Sequence, residues 1–249
     1  MFGFSTKLPI TDEDRVWVDD GFVRLARMLG RERMLNAEVV LPEERFFPDV
    51  FDGSKASVTA MAARIAAYLG VPSSAFSIEI FAEDEEAWRQ TIPERSEKTK
   101  DAAGLYFHEP EAGRHIVGVH AKHLKDPLLL AATIAHELVH VLLLGGGLLD
   151  RESEDMEPIT DLATVFLGFG VFTSQASFQF KQWTEGNMQG WSVQKIGYLP
   201  ERILGYALAR FAHERGENKP PWSRALPTNI RDYCATSAKW LRREHAKVS

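Results

Sequence analysis

The chain has 249 residues, 45% of them hydrophobic and 26% charged, with a single cysteine and a formal net charge of −6. A chain of this length buries about 70% of its unfolded surface and needs no covalent staple, and the lone Cys234 excludes both an internal disulfide and a thiolate metal cage. The acidic balance argues against a nucleic-acid partner, and the cysteine usage fits a reducing compartment, so a cytoplasmic location is expected.

The first residues carry no basic region followed by a long apolar run, so no signal peptide is expected. Thr11 to Leu29 reads as an amphipathic helix, with Trp17, Phe22, Leu25 and Leu29 on one side and acids in the first turn. A connection marked by Pro42 and Pro48 follows. Ser54 to Leu69 is a second helix, carrying Val58, Met61, Ile65 and Leu69 at helical spacing and stopped by Gly70. Phe76 to Phe81 alternates apolar and polar side chains, the pattern of a strand. Glu83 to Lys100 reads as a charged loop. Gly104–His108 and His115–His120 read as two strands joined by a turn through Pro110 and Gly113.

Asp126-Pro127 then marks a helix start, an N-cap followed by proline at the first helical position. This helix is expected to run to about Leu144 and to stop at Gly145-Gly146-Gly147. The apolar run from Pro127 to Leu149 is long enough to raise the question of a membrane. His136, Glu137 and His140 interrupt it near its middle, where charge is costly in lipid, so no membrane association is expected. Another helix is predicted from about Asp155 to Phe169, a hairpin from Phe178 to Ile196, and two closing helices over Pro200–Arg215 and Asn229–His245.

The chemistry lies in the capped helix. His136-Glu137-Leu138-Val139-His140 sets two imidazoles four residues apart on one helical face, and both can reach a zinc ion with bonds of about 2.0–2.1 Å. Glu137 projects beside them, where it could take a proton from water rather than bind metal. From Leu128 to Leu144 the other positions are all Leu, Ile, Val, Ala or Thr, so the helix should be buried all round. Polar groups there need partners. The simplest alternative is that they are core groups satisfied by neighbouring backbone.

A third ligand is needed, and several acids follow between Asp150 and Asp161. Pro158 fits only the first turn of a helix, which puts Glu157 there and Asp161 on the same face one turn later. Glu157 could then ligate while Asp161 accepts a hydrogen bond from the second ring nitrogen of a ligand histidine. Glu152, Glu154 and Asp155 read as a solvated helix start.

The pattern His136-Glu137-x-x-His140 followed by Glu157-x-x-x-Asp161 resembles the gluzincin, thermolysin-like clan of zinc metallopeptidases. Thr160 to Gly170 is further similar to a group of small, uncharacterised bacterial proteins within that clan. The resemblance implies an α+β fold: a compact zincin core with a small mixed sheet and edge hairpin, the two motif helices, and flanking helices. It implies one such domain over residues 1–249, with a helical part to about 75, a metal-site core over 76–172, and a C-terminal hairpin and helices from 173. The Gly104–His120 hairpin takes the place of the edge strand that aligns an extended substrate in that clan. The gap from His140 to Glu157 is short for thermolysin-like enzymes, so the chain must turn back quickly through its three glycines.

The implied activity is that of a zinc metallopeptidase acting on a peptide or protein substrate. Zn²⁺ would be held by His136, His140 and Glu157, and Glu137 would act as general base. The clan takes its oxyanion donor from a Tyr or His after the third ligand, which here points to Tyr198, with Tyr206 and His213 as the other candidates. His108, His115, His120 and His123 read as polar surface around the hairpin. A different class stays open, a zinc-containing binding or regulatory protein that holds a partner chain in the cleft without cutting it.

Overall fold

Among the residues described by the computed structural model, namely 7–81, 104–109, 114–184 and 199–248, eight α-helices and three strands form. The class is α+β. Helix starts follow the capping residues. Helix α1 (Asp12–Leu29) opens on a reciprocal cap, in which Thr11 Oγ1 accepts from the Asp14 N–H at 3.1 Å and the Asp14 carboxylate accepts from the Thr11 N–H. A short helix α2 (Arg31–Leu35), not foreseen in the sequence, follows at once. Helix α3 (Lys55–Leu69) starts at Ser54, whose side chain accepts from Ser57 N–H, and ends with Gly70 in the left-handed conformation.

Strands β1 (Phe76–Phe81), β2 (Gly104–Glu109) and β3 (Arg114–His120) form one mixed sheet in the order β1-β3-β2. β1 runs parallel to β3, pairing Phe76 with His115 and Phe81 with His120. β2 runs antiparallel to β3, pairing Gly104 with Val119 and Glu109 with Arg114. Helix α4 (Pro127–Leu143) begins as expected at Asp126, whose carboxylate accepts from the Leu128 and Leu129 N–H groups. It packs against α3, β2 and β3. Thirteen of its 17 residues are buried, so this helix is enclosed on every side rather than on one stripe.

The remaining helices are α5 (Met156–Phe166), α6 (Gly170–Thr184), α7 (Glu201–Glu214) and α8 (Thr228–Val248). Pro158 sits in the first turn of α5, as its missing N–H requires. The helix expected to reach Phe169 stops three residues earlier. Gly168 there adopts φ +90°, and a side chain on it would collide with the Glu38 carbonyl, while its own carbonyl accepts from Val40 N–H at 3.0 Å. A second departure follows directly. Phe178 to Thr184, expected as the start of a hairpin, continues helix α6, and the rest of that stretch lies outside the described residues. Val171, Phe172 and Ala176 ahead of Phe178 are buried at helical spacing and carry the helix through.

The chain divides into two compact units, Met1–Leu41 with Glu157–Ser249, and Pro42–Met156. The helical segment expected as one piece to about residue 75 is thus shared between them. In the first unit α7 pairs with α8 and with α1, Gly21 packs against Leu162 and Ile159, and the rings of Phe22 and Phe166 lie 5.9 Å apart. In the second, Val58, Ile65 and Leu69 of α3, Ile78, Val117 and Val119 of the sheet, and Leu130, Ile134 and Leu138 of α4 are buried. No helix among the described residues is long and apolar enough to cross a membrane.

Candidate metal centre

The enclosure of α4 makes its three polar residues chemically conspicuous. His136, Glu137 and His140 are 9, 6 and 4% exposed. The two imidazole rings lie 4.7 Å apart and nearly perpendicular, at 83°, as expected for side chains one turn apart on one face. Glu157, half-buried in the first turn of α5, joins them: one ligand atom from each of His136, His140 and Glu157 lies within 4.8 Å of the others. Two imidazole nitrogens and a carboxylate oxygen are a donor set that suits zinc, and their burial keeps competing water from the ligands. The residues present therefore fit a metal ion, whose identity the donor set favours without fixing.

Asp161, 1% exposed, has a duty that spacing alone could not reveal. Its Oδ2 accepts from the Leu199 N–H at 2.8 Å, and Ser177 Oγ donates to the Leu199 carbonyl at 3.2 Å. The carboxylate one turn after Glu157 thus also anchors the chain where it enters α7. Tyr198, one residue earlier, lies outside the described residues. The other two oxyanion candidates have other roles. Tyr206 is fully buried and donates its hydroxyl to Asp19 at 2.9 Å, and its phenol is held well above its ordinary pKa, first by burial and then by that carboxylate. His213 lies ring to ring with His245, 5.5 Å away.

Three residues not selected from the sequence line the helix instead. Tyr106 of β2 lays its ring 5.8 Å from that of His140, and its hydroxyl lies 3.0 Å from His115 Nδ1, with those two rings stacked at 5.4 Å. Burial raises the Tyr106 pKa, against the opposing charge of Arg151, whose guanidinium lies 5.5 Å from the ring centre. His115, expected as polar surface, is therefore half-buried in this group, and its ring also closes on Gly145 just beyond α4. The signal was present in the strand. Side chains two apart share a face, so Gly104 and Tyr106 both turn to α4, the first meeting Glu137 and the second His140.

No protein-family model, no curated protein and no solved structure matches this chain at a significant level.

Proposed function

We propose that this protein is a zinc-dependent peptidase with a gluzincin-type core. The observation that carries the reading is the meeting of His136, His140 and Glu157 ligand atoms within 4.8 Å, with Glu137 buried on the same helix and not among them. His136, His140 and Glu157 would hold a zinc ion, which when bound would supply a Lewis acid able to bring the pKa of water to about 7 and to polarise a substrate carbonyl. Glu137 takes the proton from the attacking water and delivers it to the leaving amine. Asp161, whose Oδ2 accepts from the Leu199 N–H, would also accept from the ring N–H of a ligand histidine and so fix that ring's tautomer.

β2 is an edge of the sheet, so an extended peptide can add to it through main-chain hydrogen bonds, as the clan resemblance implies for peptide or protein substrates. The resemblance alone assigns the oxyanion donor to Tyr198. A reducing, cytoplasmic setting agrees with the one cysteine, Cys234, which is 5% exposed and whose thiol burial pushes up to about 12.

The test begins with metal stoichiometry by elemental analysis on untagged protein, with Glu157→Ala beside it. About one zinc per chain, lost in the variant, is expected. Fluorescein-labelled casein and a quenched-fluorescent peptide mixture then report hydrolysis by the zinc-loaded protein. Absence of zinc after reconstitution overturns the reading. Zinc without hydrolysis of either substrate turns it towards a metal-dependent binding protein.

A further inference from the structure

Gly104 opens β2 directly against the motif helix. A β-carbon built there would lie 2.6 Å from Glu137 Oε1, 2.8 Å from Glu137 Cγ and 2.6 Å from Thr133 Cγ2. Thr133 stands one turn before Glu137 on the same face of α4, is 2% exposed, and has a stiff β-branched side chain. The first residue of the edge strand therefore forms a wall against the Glu137 side chain, and only a hydrogen fits in the space between them.

We infer that Gly104 is a positioning residue for Glu137: its missing side chain lets the edge strand close on the helix and hold the carboxylate in one place. This rests on the reading of Glu137 as the general base. The three contacts leave a larger residue two escapes. Thr133 cannot swing aside without leaving its rotamer, so either the Glu137 carboxylate moves, or β2 backs away from α4. The first misplaces the base. The second removes the wall that holds it. In both cases the proton-transfer geometry is lost while His136, His140 and Glu157 keep their places, because the atoms nearest the new β-carbon belong to Glu137 and Thr133.

The test is Gly104→Ala in the zinc-loaded protein, using casein and then the single quenched peptide that the wild type cleaves fastest. Zinc is expected to stay at about one per chain, and kcat to fall about 100-fold, as for a catalytic group displaced by an ångström, with KM within about twofold. In a Glu137→Gln background the same change is expected to have no further effect on kcat, because a residue acting only through Glu137 has nothing left to act on. A crystal structure of Gly104→Ala is expected to show the Glu137 carboxylate displaced, or β2 drawn back from α4.

If Gly104→Ala does not fold, Gly104→Ala with Thr133→Ala removes one of the three contacts and keeps both to Glu137. Its kcat is then compared with Thr133→Ala alone, and the same deficit is expected. An unchanged kcat, an equal loss in the Glu137→Gln background, loss of zinc, or an unmoved Glu137 and β2 in the crystal each overturns the inference. Failure of the wild type to cleave any substrate is a separate result: it removes the peptidase reading, while the crystal structure still decides whether Gly104 sets the Glu137 position.

Discussion

Two groups of polar side chains in this molecule, one half-buried around Asp19 and one buried on α4, have opposite chemistry. In the first, the Asp19 carboxylate takes the Tyr206 hydroxyl at 2.9 Å and stands 3.1 Å from Arg15 and 3.5 Å from Arg210, with Trp240 packed beside both Arg15 and Tyr206. One acceptor is surrounded by donors. In the second, His136 and His140 of the otherwise apolar α4 meet Glu157 of α5, with Glu137 buried on α4 beside them, so that imidazoles and carboxylates, groups that offer lone pairs, come together. The balance of donors and acceptors separates a group that holds the fold from one built to receive a cation.

Removing a member of each group should separate them. The largest effects belong to α4. His140→Ala is expected to abolish zinc retention after dialysis, read by elemental analysis. Glu137→Gln is expected to keep the zinc and lose about 10²- to 10⁴-fold in hydrolysis, the usual contribution of a general base. A zinc-loaded Glu137→Gln protein with full turnover would end the parallel between this helix and a catalytic centre.

Asp161 is a scaffold residue through Leu199 and a proposed partner of the metal group, and so sharpens the contrast. Asp161→Ala strands the buried Leu199 N–H, which should cost about 1–3 kcal/mol in urea unfolding. As a partner of a ligand histidine its loss should also weaken zinc about 10- to 100-fold in a chelator competition. Destabilisation with unaltered zinc affinity would assign Asp161 to the scaffold alone. Tyr206→Phe should do less. It removes one hydrogen bond to a half-buried carboxylate that keeps two arginines, at a cost of about 0.5–1.5 kcal/mol and with zinc content unchanged.

What the sequence disclosed follows the same division. Thr11, Ser54 and Asp126 announce their helices because a cap is a local bargain between a side chain and the next few N–H groups. His136, Glu137 and His140 are legible because helical periodicity fixes their face, and Pro158 places Glu157 for a similarly local reason. Tyr106, His115 and Gly104 were not chosen, since their importance depends on which face of β2 meets α4, a long-range fact. Phe178–Thr184 was misread for a related reason: the packing of α6 ahead of it carries the helix through. The Leu199 contact of Asp161 joins residues 38 apart, beyond any spacing rule.

His123 supplies the smallest and most easily isolated effect. It belongs to neither group, and its Nε2 is buried with no hydrogen-bond partner among the described residues. Burial, aided by the nearby charges of Lys122 and His120 and opposed by Asp126, lowers its pKa to about 4. An unfolded histidine titrates near about 6.5, so between these values the unfolded chain binds more protons than the folded one. The neutral ring therefore contributes stability that is complete above about pH 6.5 and is lost as the pH falls towards 4. His123→Gln should flatten the difference in urea midpoint between pH 7 and pH 4.5. Both proteins are compared after chelation, because acid also protonates the α4 histidines and would release a metal in the same range. That contribution is common to the two proteins and cancels in their difference. A variant whose midpoint falls as steeply as that of the wild type would remove His123 as a source of the acid sensitivity and leave His213, whose pKa burial also lowers, as the next candidate.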